Sequence, residues 1–148
     1  MPHILIIEDD NSLRDMLATV LRAEGYTVAE AIDGRDGVDK HREQPADLVL
    51  TDVIMPRMDG LETIGALRRA TPDLAIVAMS GTTECGLYLR MSELLGAHWT
   101  LPKPFSRMAL LEAVGKALAA ASNRPHSASP VRPDGGSDSR GGWPVYGT

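Results

Sequence analysis

Four stretches of this sequence end in side chains able to do chemistry. Glu8-Asp9-Asp10 follows the apolar run His3-Ile4-Leu5-Ile6-Ile7. Asp52 follows Asp47-Leu48-Val49-Leu50-Thr51, and Ser80-Gly81 closes Leu74 to Met79. Lys103 sits between two prolines just after Trp99-Thr100-Leu101. If these runs are parallel strands of one sheet, their carboxyl ends share an edge, and α/β sheets place their chemistry at that edge. Glu8, Asp9, Asp52, Ser80 and Lys103 then converge. Three carboxylates in one place repel and shift one another's pKa. A hard divalent cation relieves the repulsion, and oxygen-only ligands suit Mg²⁺. No His follows any of these strands, which argues against zinc. A lysine beside such a site pairs with a carboxylate or an incoming phosphoryl group, and a serine hydroxyl hydrogen-bonds a phosphoryl oxygen. With the metal offsetting phosphoryl charge and Asp52 as nucleophile, the product is an aspartyl phosphate. Taken singly, an acidic pair after a strand is a helix start, a serine before glycine a turn, and a lysine a solvated charge. It is the joint pattern, at matching strand ends, that points to a site.

The elements that must position these residues can be read in chain order. His3 to Ile7 is continuous and β-branched, the pattern of a strand buried on both faces. Leu13, Met16, Leu17, Val20 and Leu21 follow helical spacing, and Gly25 stops that helix. Tyr26 to Ala31 alternates as a second strand, and Gly34 to His41 is a short helix with Gly37 and Val38 on its packed side. Asp47 to Val53 is the third strand. A loop with Pro56 and Gly60 follows, with Asp59 and Glu62 spaced as a helix cap. Leu61, Ile64 and Leu67 mark a third helix that ends before Pro72. Leu74 to Met79 is the fourth strand, and Cys85 to Leu95 reads as a fourth helix, with Cys85 as a small buried hydrophobe. Trp99 to Leu101 is a short fifth strand. Ser106 caps a last helix whose apolar positions are Met108, Leu111, Val114, Ala117 and Leu118. Five strands alternating with five helices predict an α/β fold: a five-stranded parallel sheet, doubly wound, with right-handed crossovers. The order 2-1-3-4-5 places the fifth strand, with Pro102, at an edge where a missing N–H is tolerated.

Composition bounds the rest. The chain has 148 residues, enough for one domain with a real core. At 43% hydrophobic and 24% charged it has ordinary globular usage. The net charge is −5, and the 27 residues from Ser122 carry three Arg against two Asp, so the acidity belongs to residues 1–121. Broad binding to nucleic acid or anionic membranes is therefore disfavoured. Cys85 is the only cysteine, so an internal disulfide is impossible. No apolar stretch approaches a membrane span, and the first one is too short for a signal peptide, so a cytoplasmic location is expected. Residues 122–148 hold five Gly, four Pro and five Ser, more than half their length. They are expected to be a disordered tail, leaving 1–121 as the domain.

Ile6-Ile7-Glu8-Asp9-Asp10, Leu50-Thr51-Asp52-Val53-Ile54-Met55-Pro56-Arg57-Met58-Asp59-Gly60, Ala78-Met79-Ser80-Gly81 and Lys103-Pro104-Phe105 resemble the motifs of the response-regulator receiver family, from Pro2 to about Ala121. The resemblance implies a flavodoxin-like fold and phosphoryl transfer to Asp52 from a histidine kinase or a histidine phosphotransfer protein. It implies Mg²⁺ held by Glu8, Asp9 and Asp52 with the backbone carbonyl of Ile54. Ser80 matches the family's switch hydroxyl, Lys103 its lysine, and the Lys103–Pro104 bond is expected to be cis. The family often has Asp where this chain has Glu8. It also often has an aromatic switch residue where this chain has Thr100, with Trp99 beside it on the opposite face of the strand. Downstream partners are expected on the face made by the fourth predicted helix, the fifth strand and the last helix. Gly86, early in that fourth helix, marks it as a candidate mobile element.

Two other classes compete. A Mg²⁺-dependent phosphatase of the haloacid-dehalogenase type also uses an Asp after a strand, but needs a second Asp two positions on, where Ile54 stands. A nucleotide or flavin binder needs a Gly-rich phosphate loop after the first strand, where Glu8-Asp9-Asp10 would repel phosphate. A signalling receiver that is not a turnover enzyme fits best. The tail is too short and polar for a winged helix, so output through protein partners is expected, or the chain is the receiver piece of a hybrid histidine kinase.

Overall fold

The computed structural model describes residues 1–53, 60–80, 90 and 99–122. Five strands are β1 (His3–Ile7), β2 (Thr27–Ala31), β3 (Leu48–Asp52), β4 (Ala75–Ser80) and β5 (Trp99–Pro102). The helices among the described residues are α1 (Asn11–Ala23), α2 (Gly34–Glu43), α3 (Gly60–Ala70) and α4 (Arg107–Ser122). The strands form one parallel sheet in the order β2-β1-β3-β4-β5, as the alternation predicts.

Alternate residues of the buried strands feed two cores, one on each face. On one face Ile4, Ile6, Leu48, Leu50, Val77 and Met79 meet α1 through Leu17 and Leu21 and α4 through Leu110, Val114 and Ala117. On the other, Leu5, Ile7, Val49 and Ile76 meet α3 through Ile64 and Leu67, with Val38 of α2 packed against them. This is why β1, β3 and β4 are apolar at nearly every position: neither face sees water. Gly37 lets α2 lie directly on β1, because a Cβ there would stand 2.7 Å from Ile7 Cγ1.

Local chemistry sets the ends. Asp10 caps α1, its Oδ1 accepting from Leu13 N at 3.1 Å. Asp33 caps α2 by accepting from Asp36 N at 2.9 Å. Gly25 closes α1 at φ 100°, a conformation that favours glycine. Ser106 Oγ accepts from Ala109 N at 2.9 Å at the start of α4, as predicted. The differences from the expected strands are at the margins. Tyr26 closes α1 by donating its N–H to Leu21, so β2 begins at Thr27. Asp47 ties down the start of β1, its N–H bonding His3 O and its carboxylate His3 N, ahead of β3. Pro102 joins the edge strand β5, opposite Ser80. Cys85 to Leu95, the Asp59 cap, Ile54 and the tail lie outside the described residues, apart from Arg90.

Candidate functional site

The strand register brings the acids and the lysine together. Ile7 lies opposite Thr51, Asp52 opposite Met79 and Ser80 opposite Pro102, so β1, β3, β4 and β5 finish at one edge. Lys103 Nζ stands 3.1 Å from Glu8 Oε1 and 3.1 Å from Asp52 Oδ2, bridging two residues 95 and 51 positions away. Glu8 is 1% and Asp52 6% exposed, so the bridge is a largely desolvated one. Asp9 is exposed at its rim. Carboxylate oxygens of Glu8, Asp9 and Asp52 lie within 4.8 Å of one another, the three acids singled out from the sequence. Asp10 is spent on capping α1 and stands outside the cluster.

The electrostatics follow from that packing. Burial, and then the charge of Asp52, push the Glu8 carboxyl up to about 7, against the opposing pull of Lys103. Burial alone would lower the Lys103 pKa. Asp52 and Glu8 together outweigh it, and the ammonium is held above its ordinary value. Among the described residues, the site sets one lysine against two buried acids.

Ser80 is placed by its backbone, its carbonyl accepting from Lys103 N at 2.8 Å. Its side-chain hydroxyl is buried and finds no hydrogen-bond partner among the described residues. The Lys103–Pro104 peptide is cis, as expected. Thr100 is half-buried in β5, opposite Ala78. Trp99, on the other face, has Lys116 Nζ of α4 5.7 Å from its ring centroid, so it packs toward the last helix. Ile54 lies outside the described residues.

Sequence reading missed two neighbours of the site. Arg14 Nη1 donates to the Glu8 carbonyl at 2.8 Å. A cation in the first turn of a helix, where the macrodipole opposes it, is the signal that could have found it. Leu13, Met16, Pro104 and Phe105, with Asp10 and Lys103, line a cavity of about 500 Å³ beside the acids. Of the residues that follow helical spacing in α1, Leu13 packs against the core and Met16 is exposed.

A flavodoxin-like sheet carrying carboxylates, a hydroxyl and a lysine at its carboxyl edge defines a class of signalling domain. The chain belongs to the response regulator receiver domain family, matched over residues 4–115. It is 35% identical over 121 residues to the response regulator receiver protein CpdR of Brucella abortus, which covers 82% of this chain and 100% of that one. It is 39% identical over 110 residues to response regulator MprA of Mycolicibacterium vanbaalenii, covering 74% of this chain and 47% of that one, so it spans about half of MprA's length. Among solved structures it is similar to the CheY-like receiver domain protein from Methanospirillum hungatei JF-1, with a TM-score of 0.78 and 26% identity over 82% of this chain and 97% of that one. Among the described residues, no helix is long and apolar enough to cross a membrane.

Proposed function

We propose that Asp52 accepts a phosphoryl group from a histidine kinase or a histidine phosphotransfer protein, and that the chain signals through protein contacts in the cytoplasm. The observation that carries this is the bridge from Lys103 to both Glu8 and Asp52, 3.1 Å to each, at the carboxyl edge of the sheet. The donor set fits Mg²⁺: the ligating atoms are oxygens from three carboxylates, and two of the acids are buried. Glu8, Asp9 and Asp52 would hold the ion, with the Ile54 carbonyl as a fourth ligand. When bound, Mg²⁺ supplies charge compensation for the phosphoryl oxygens.

The protein's own groups do the rest. A carboxylate oxygen of Asp52 attacks phosphorus and forms the P–O bond as the donor's P–N bond breaks. The electron pair stays on the imidazole nitrogen, which takes a proton from solvent. Lys103 turns from bridging the two acids to pairing with the new anion. The Ser80 hydroxyl, which has no partner among the described residues, donates to a phosphoryl oxygen, and that bond is the switch. Thr100 occupies the position of the coupled switch residue, but it has no ring to rotate. The change therefore leaves the site mainly through the chain after Ser80. The cavity by Met16 and Phe105 suits an apolar face of the phosphodonor. Output partners meet the face of the fourth predicted helix, β5 and α4; Trp99 and Lys116 of that face are exposed, and the fourth predicted helix lies outside the described residues apart from Arg90.

The protein is a phosphoacceptor and not a turnover enzyme. Incubated with Mg²⁺ and acetyl phosphate, the wild type should gain one phosphoryl group by intact mass and Asp52→Asn none. Equal uptake by the variant would show that another residue is the acceptor.

A further inference from the structure

The structure assigns Arg14 the role of a positioning residue for Asp9, acting through the peptide that joins Glu8 to Asp9; this rests on the reading of the site given above. Arg14 lies in the first turn of α1, where a cation is disfavoured by the helix dipole, and its side chain is only 14% exposed. A half-buried guanidinium needs partners, and these come from three different elements. Nη1 donates to the Glu8 carbonyl at the end of β1 at 2.8 Å. Nη2 donates to Asn11 Oδ1 at the start of α1 at 2.6 Å. Nε stands 3.5 Å from Glu30 Oε1 on the edge strand β2. Glu30 is itself held by Arg22 at 3.4 Å.

The consequence falls on Asp9. Every polar group of Glu8 is engaged: its N–H bonds Ala31 O at 3.1 Å, its carbonyl Arg14, and its carboxylate Asp10 N and Lys103. Asp9 differs, because its carboxylate makes no hydrogen bond or ion pair to any described residue. Its direction is set by the backbone that carries it. That backbone is pinned on one side by the guanidinium on the Glu8 carbonyl and on the other by the Asp10 cap of α1. Arg14 thus holds an exposed, otherwise unheld ligand in place before the cation arrives. A planar fork that bonds two acceptors at once suits this task, and a lysine can satisfy only part of it.

The test uses the full chain and Mg²⁺ alone. Outer groups that orient a metal ligand typically cost 10–100-fold in affinity when removed, so Arg14→Gln should weaken Mg²⁺ binding about tenfold by calorimetry. Arg14→Lys, which keeps the charge and one donor, should fall between the two and guards against a variant that fails to fold. With acetyl phosphate as donor, the Mg²⁺ concentration for half-maximal phosphorylation should rise by the same factor, while the rate at saturating Mg²⁺ stays near wild type. A merely structural role would lower the rate at every Mg²⁺ concentration. Wild-type affinity in Arg14→Gln, or an equal loss of rate at all Mg²⁺ concentrations, overturns the proposal. A wild-type protein that binds no Mg²⁺ overturns the reading of the site itself, and with it this assignment.

Discussion

Replacing Lys103 with Met isolates the electrostatics of the site, since Met keeps most of the stem and removes the charge. The variant leaves Glu8 and Asp52 facing each other without the Lys103 charge, and breaking a buried pair in this way costs about 3–5 kcal/mol if the charges must stay. Glu8 has an escape: it can take up a proton. Its carboxyl already sits at about 7, against 4.5 unfolded. Being raised in the fold, this group favours folding below its unfolded pKa, and the contribution is lost as pH rises through about 7. Without Lys103 the carboxyl rises further and is neutral near pH 8. Protonation then caps the added cost from Glu8 at about 1.4 kcal/mol there, one unit above its wild-type value. Near pH 5 it is protonated in both proteins and the added cost vanishes. The lost Asp52 contact adds about 1 kcal/mol across this window. The variant should therefore be about 2–3 kcal/mol less stable near pH 8 and about 1 kcal/mol less stable near pH 5. Urea unfolding followed by circular dichroism in metal-free buffer measures this. Adding Mg²⁺ near pH 8 should recover part of the loss, because the cation supplies the missing charge. A pH-independent difference would refute the reasoning and show that Lys103 matters there through packing.

Three further outcomes are expected. Gly37→Ala gains about 0.5–1 kcal/mol of helix propensity but forces a Cβ against Ile7, and overpacking at about 1–3 kcal/mol wins, so the urea midpoint should fall; Ile7→Ala should relieve most of the penalty added by the alanine. The buried His41 accepts from Ala46 N at Nδ1, at 3.0 Å, and bonds Thr71 Oγ1 through Nε2, at 2.8 Å, so burial, helped by His3, holds its pKa below 6.5. Its contribution is intact above that value and lost as pH falls through the lowered one, so wild-type melting temperature should drop on acidification more than that of His41→Gln. Ser80→Ala should still accept phosphoryl on Asp52, and before phosphorylation should be as stable as wild type or up to about 1 kcal/mol more so, since it deletes an unsatisfied hydroxyl; a clear loss of stability would show that the hydroxyl is already bonded.

The sheet was legible because burial on two faces leaves no choice of residue. Ile4 to Ile7, Leu48 to Leu50 and Ala75 to Met79 are apolar at every position, and the order 2-1-3-4-5 agrees with Pro102, which is tolerated at an edge. The convergence of Glu8, Asp9, Asp52 and Lys103 was legible only jointly, since an acid at the end of one such strand reads as a helix start and it is the matching strand ends that bring the four together. Arg14 was not legible, because its partners are a backbone carbonyl at Glu8 and an acid on β2, and neither spacing nor residue type reports a bond to a carbonyl. His41 was missed likewise, since a histidine on a polar helix looks solvated until Ala46 and Thr71 are seen to close over it.

The same limit bears on how the site works. Sequence supplies Ser80 and Lys103 as residue types, but it cannot say which of them already has a partner. Lys103 has two, and Ser80's hydroxyl has none among the described residues. An unsatisfied buried hydroxyl costs about 1–3 kcal/mol, and that sum is recovered when an acceptor arrives. On the proposed function, a phosphoryl group on Asp52 would be such an acceptor and would draw Lys103 away from Glu8. On that function the driving force would come from a bond still to be made and not from strained backbone: among the described residues only glycine takes a positive φ. The population shift on phosphorylation is bounded by what that bond and the lysine's change of partner supply together.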